Sequence, residues 1–220
     1  MPPVMPPLRI MEGVMKRRIL LLAAAMTLGA LLSSCVGIAS RIELRADGSG
    51  TLTLDYKVAQ YLKNIDVGRE QKRLPLPVSR EDFRRTAEGI QGLRLLELDG
   101  REDEENVYVR AVLEFDDLEA LNGLGGEPGL GLSLTESGGE RTLRQEIAPA
   151  VEPGDLSEDS LAMISDFFAG YELVYTIRLP APIKRHNLGE LSQDGRSLTY
   201  DATVPELMQA AEPVILEVVW

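Results

Sequence analysis

Nucleophilic and acid–base chemistry in proteins rests mostly on thiol, imidazole and carboxylate groups. This chain of 220 residues has one cysteine, one histidine and 35 carboxylates. The cysteine, Cys35, follows Leu32-Ser33-Ser34 and closes an apolar run that begins just after Lys16-Arg17-Arg18. A thiolate is a strong nucleophile, and small residues before it let an extended segment enter a peptidase cleft. A single thiol cannot form an intramolecular disulfide. The histidine, His186, stands in Ile183-Lys184-Arg185-His186-Asn187 with no partner base or nucleophile suggested nearby. A His-based triad and most zinc or haem sites are therefore not expected.

The carboxylates cluster, but not in catalytic or ligating patterns. Glu102 to Glu105 is an unbroken acidic run that lacks the alternating ligand spacing of a calcium loop; a solvated hairpin tip is expected. Asp116-Asp117 is a simple pair, and Asp155, Glu158 and Asp159 suit the start of a helix, where the macrodipole favours acids. A carboxylate-pair hydrolase would need two carboxylates converging in a cleft, which nothing in the spacing indicates. Gly123 to Gly131 is glycine-rich, yet it has no phosphate-loop lysine or hydroxyl, and Pro128 stands where G-x-G-x-x-G requires glycine. It reads as a mobile loop. No metal, no cofactor and no enzymatic activity are expected.

Charge narrows the partners. The net charge is −12, and the first 34 residues, with Arg9, Lys16, Arg17 and Arg18 against Glu12, carry +3, which leaves −15 on the remainder. Nucleic acid needs a basic footprint and is not expected as a partner. One segment runs against the trend: Lys57 to Arg85 is net +4. Its Lys63, Lys72, Arg73, Arg84 and Arg85, with Lys184 and Arg185 if folding brings them together, form a candidate face toward anionic head groups or an acidic partner. The plain alternative is a set of ordinary solvated cations.

The segment around Cys35 resembles a bacterial lipoprotein leader. Met15 to Arg18 is a basic n-region, Ile19 to Leu32 is a mostly apolar stretch of 14 residues, and Leu32-Ser33-Ser34-Cys35 is similar to the lipobox. The apolar stretch is short for a membrane span, which needs roughly 20 residues. The resemblance implies cleavage between Ser34 and Cys35, acylation of Cys35 and attachment to membrane lipid, with two or three chains holding stably at about 0.8 kcal/mol per methylene. Ordinary signal cleavage after Gly37-Ile38-Ala39 and an uncleaved anchor are the alternatives. Residues 1–14 read as an upstream start-site extension, 15–34 as the signal peptide, 35–40 as acylated terminus and tether, and 41–220 as a single domain. Val36 after the cysteine slightly favours the outer over the inner membrane.

Period-two alternation predicts a hairpin over 41–58 around Asp47-Gly48-Ser49-Gly50, with Leu44, Leu52 and Leu54 inward. A helix from Arg80 to about Gly89 should bury Phe83, Ala87 and Ile90. Strands are expected at 93–98 and 107–115, with Val107, Val109, Ala111, Leu113 and Phe115 on one face, then a short helix or turn over 117–122. A second hairpin spans 130–135 and 142–147. A capping box, Asp155 to Glu158, opens a helix to about Phe168. Strands 171–179, 197–204 and 214–220 follow, with a short helix at 205–210. The class is α+β: a mainly antiparallel sheet with two main helices packed on it.

Ile42-Glu43-Leu44-Arg45-Ala46-Asp47-Gly48-Ser49-Gly50 and, near the other end, Tyr175-Thr176-Ile177-Arg178-Leu179-Pro180, Asn187, Asp194-Gly195-Arg196-Ser197-Leu198-Thr199-Tyr200 and Leu216-Glu217-Val218-Val219-Trp220 resemble the LppM-type lipoprotein domain of mycobacterial and other bacterial lipoproteins. The resemblance implies an α+β domain on the outer side of a bacterial membrane, with a lipid or glycolipid ligand. The expected function is a non-catalytic, membrane-anchored envelope lipoprotein that binds a lipid or other amphipathic ligand. The alternative is a structural or assembly lipoprotein docking on an envelope protein.

Overall fold

The structure, a computed structural model, describes residues 36–60, 80–124, 130–151 and 171–220, with Asp159, Leu161, Ala162, Ser165 and Phe168. The leader, Cys35, most of the glycine-rich loop and most of the helix expected over 155–168 lie outside these residues. Val36–Trp220 is one compact unit.

The fold is α+β and strand-rich. Two sheets account for eleven strands among the described residues. The larger has the order β3-β4-β2-β1-β7-β10-β9, built from β1 (Val36–Leu44), β2 (Gly50–Ala59), β3 (Leu93–Glu102), β4 (Asn106–Phe115), β7 (Glu172–Arg178), β9 (Glu190–Leu191) and β10 (Ser197–Thr203). The smaller, β5-β6-β11-β8, uses β5 (Leu132–Ser137), β6 (Glu140–Ala148), β8 (Arg185–His186) and β11 (Val214–Val219). The described helices are α1 (Arg80–Glu88), α2 (Leu118–Gly123) and α3 (Val204–Leu207). Only α1 exceeds two turns. Asp159, Leu161, Ala162 and Ser165 are helical, in the segment where the second main helix is expected.

Alternation places side chains as expected. Leu44, Leu52 and Leu54 are buried, as are Val107, Val109, Ala111, Leu113 and Phe115 along β4. The β1–β2 turn is closed by Asp47, whose carboxylate accepts from the Ser49 amide and hydroxyl. Gly50 follows because a side chain there would run into the Glu43 carbonyl and the Phe115 ring. Helix α1 buries Phe83 and Ala87, and Phe83 meets Tyr56 with ring centroids 6.5 Å apart. Asp117 caps α2 by accepting from the Ala120 amide at 2.8 Å, and Thr203 with Glu206 forms a capping box on α3.

Three features depart from expectation. Val36–Ser40, expected to belong to the tether, are part of β1, because backbone on both sides satisfies their hydrogen bonds: β1 pairs with β2 antiparallel and with β7 parallel. That parallel pair, Val36↔Glu172 to Glu43↔Arg178, makes the sheet mixed. The acidic turn expected over 99–106 is tighter, since Asp99–Glu102 stay paired in β3 opposite β4. Asp103 closes it by accepting from the amides of Glu105 and Asn106.

Candidate functional site

The larger sheet has two unlike faces. One presents Arg41, Asp55, Glu97, Arg110, Glu114 and Arg178 to water, and its charges are laced together. Arg110 lies 2.9 Å from Asp55, and Glu114 takes Arg45 and Arg94, each at 3.1 Å. Such exposed pairs hold side chains in place more than they stabilise the fold. The other face carries the core, and it is not sealed evenly.

At the end nearest the β1–β2 turn, Ile42, Leu44, Leu113, Phe115, Ile177 and Leu198 are each 5 % exposed or less. Leu143, Leu216, Val218 and Trp220 of the smaller sheet join them in one contiguous core. At the other end the β2–β4 side is closed by α1, leaving Tyr56 4 % exposed. The remaining corner belongs to β1, β7 and β10. By strand alternation Ile38, Ser40, Leu173, Tyr175, Tyr200 and Ala202 share the core face there; Ala202, opposite Leu173, is buried, and the other five are only half-buried. Register brings them together: Ile38 is opposite Leu173 and Ser40 opposite Tyr175, while Tyr175 is opposite Tyr200.

This corner is apolar with polar tips. Burial pushes the Tyr175 phenol above its ordinary pKa, helped by the neighbouring Tyr200. Burial also raises Tyr200, with Glu206 and Asp201 adding to the shift. Both phenols therefore stay neutral at physiological pH and can donate or accept a hydrogen bond. At the same end, on the opposite face of the sheet, which carries Asp55 and Lys57, Tyr171 lies between Phe168, edge to face at 5.9 Å, and Lys57, whose Nζ is 4.7 Å from the ring centroid. Gly37 makes room: a Cβ there would stand 2.6 Å from the Tyr171 ring.

Chemically, the corner can hold an aliphatic group against Ile38 and Leu173 and a hydroxyl or carbonyl against the phenols and Ser40. Its described side chains include no His, Lys or Cys. Among the described residues no group of three His, Cys, Asp or Glu side chains could hold a metal ion. The Asp103 turn is acidic, but its carboxylate is occupied by backbone amides, which hold its pKa below the usual range. His186 is exposed on β8, with Nδ1 3.2 Å from the Leu188 carbonyl.

The expected cationic face divides. Lys63, Lys72 and Arg73 lie outside the described residues. Arg84 is exposed on α1, and Arg85 pairs with Glu81 at 3.1 Å. Lys184 and Arg185 both pair with Glu140, at 3.3 and 2.8 Å. Those two lie by Trp220 and Arg141, and Arg141 donates to the Ala46 carbonyl in the β1–β2 turn. That turn is six residues along β2 from Tyr56, where α1 packs, roughly 20 Å. The structure does not bring Lys184 and Arg185 to α1; their common partner is Glu140 on β6.

Comparison with solved structures gives a distant likeness. The solved folded domain of LppM from Mycobacterium tuberculosis matches with a TM-score of 0.44 and 12% identity, covering 84% of this chain and 88% of that chain. No family model matches the chain, and no curated protein matches it. No described helix is long and apolar enough to cross a membrane.

The half-open corner was not legible beforehand. Tyr175 and Tyr200 are visible as core-face residues of two strands, but only the β7–β10 register places one opposite the other. The adjacency of β1 and β7 has no local signal at all.

Proposed function

We propose that this chain is a bacterial envelope lipoprotein acylated at Cys35, whose domain binds a lipid or another amphipathic molecule without catalysing a reaction. The observation that carries the ligand reading is the uneven seal of the sheet's core face. Tight burial of Ile42, Leu113, Phe115, Ile177 and Leu198 gives way at the β1–β7–β10 corner to half-buried aliphatic side chains beside neutral phenols and a hydroxyl. Ligand sites combine apolar lining with a few convergent polar groups in this way. The leader motif at Leu32-Ser33-Ser34-Cys35 supports the anchor and, with it, a place on the outer side of a membrane. Docking on a protein partner through the cationic face has less support, because its described members stand at different ends of the domain.

Native mass spectrometry on the domain starting at Val36, exposed to extracted envelope lipids, tests the reading. A start at Ser40 would cut β1 in half. Retained masses that resolve into lipid species are the expected result. A bare protein mass after that exposure would overturn it.

A further inference from the structure

We infer that the domain stands on its own membrane with the half-open β1–β7–β10 corner facing the lipid head groups and the β1–β2 turn pointing away. The inference rests on the proposed acylation of Cys35 and concerns what that anchor does to the folded domain. One peptide bond joins Cys35 to Val36, and Val36 is already in β1. A flexible tether would leave orientation free; a strand that begins at the anchor does not. β1 is the middle strand of the seven, paired on both sides, so the sheet end that contains Val36 is drawn to the bilayer as a unit.

The register shows what else is at that end. Glu172 of β7 lies opposite Val36, Thr203 of β10 lies opposite Glu172, and Asn106 of β4 lies opposite Ala59 of β2. Ile38, Leu173, Tyr175 and Tyr200 are therefore within a few residues of the anchor. A lipid could pass from the bilayer to this corner without crossing water. The Asp103 turn is at the same end, two strands from β1, or roughly 10 Å to the side.

The rest of the described surface gives no reason to lie flat. The open sheet face is covered with paired charges, whose burial against lipid would cost their hydration. Among the described residues the exposed large apolar side chains, Leu96 at 57 % and Leu191 at 44 %, stand on β3 and β9, the two outermost strands. They are six strand spacings apart, roughly 29 Å, and make no patch.

The experiment uses the full-length protein, processed in a bacterial host, with acylation checked by intact mass, in phosphatidylcholine vesicles carrying a head-group nitroxide lipid. With Cys35 acylated, a new cysteine can be labelled uniquely with a small fluorophore. E104C reports on the anchor end and A46C on the far turn, both exposed positions. Quenching several-fold stronger at 104 than at 46 is expected, since the two turns are roughly 30 Å apart along the strands. A long Gly-Ser insertion between Cys35 and Val36 should abolish the difference. Equal quenching in the acylated protein, or a difference that survives the insertion, would overturn the inference. An unmodified mass at Cys35 would instead bring down the anchor reading itself.

Discussion

The two ends of β1 carry the same kind of sequence and have different surroundings. Ile42 and Leu44 at one end are buried to within 5 %, facing the smaller sheet. Ile38 and Ser40 at the other continue the same alternation and are half-buried. Hydrophobic pattern selects the face of a strand that turns inward; it does not decide how completely that face is covered. Coverage comes from a second element: Leu143, Leu216 and Val218 of the smaller sheet join the core at one end, and Phe83 of α1 meets Tyr56 at the other.

The comparison can be broken most sharply by truncating the closed end. Phe115→Ala should cost about 3–5 kcal/mol in urea unfolding, with lipid retention per folded molecule unchanged. An intermediate effect is expected at the seam. Gly37→Ala forces a methyl against the Tyr171 ring and should cost about 1–3 kcal/mol; Tyr171→Ala in the same chain should recover part of it. At the open corner, Tyr175→Phe should change stability by less than about 1.5 kcal/mol, yet lower the fraction of protein that retains lipid in native mass spectra. Unchanged retention would remove the phenol from the site.

Acid sensitivity sharpens the same contrast from the surface. Ser192 and the Arg196 amide hold the Asp194 carboxyl at about 2, with Arg178 assisting. A depressed carboxylate contributes stability that is present above its unfolded value of 3.8 and lost as pH falls from there toward 2. Asp194→Asn should flatten the pH dependence of unfolding in that window, and a carbon-detected titration of Asp194 should place its midpoint near 2. The smallest effect belongs to α1. Arg85→Ala breaks the exposed pair with Glu81 and should move stability by no more than about 0.5 kcal/mol.

Much of the fold was legible in the chain because its signals are local. Alternation marked β4 residue by residue, Asp47-Gly48 marked the first turn, and the spacing of Phe83 and Ala87 marked α1. Thr203 and Glu206 form a capping box one residue before the expected short helix, so that helix begins at Val204. What was missed is non-local. Two-residue strands such as β8 and β9 have no periodicity to read, and the start of β1 at Val36 depends on β7, which supplies the second row of hydrogen bonds. For the same reason the candidate site emerged from register and not from any motif.

The parallel pairing of β1 with β7 also bears on how the chain reaches its native state. The first described strand to be made becomes the middle of the larger sheet, and its partner Glu172–Arg178 follows only after most of the chain has been synthesised. Contacts between such distant segments close slowly, because the loop between them must be ordered first. Until then the β1–β2 hairpin exposes an unsatisfied edge, the kind of surface that recruits other strands. An amino-terminal anchor would hold that edge at a membrane and dilute it from other nascent chains in solution, so attachment and folding efficiency become linked through a single strand.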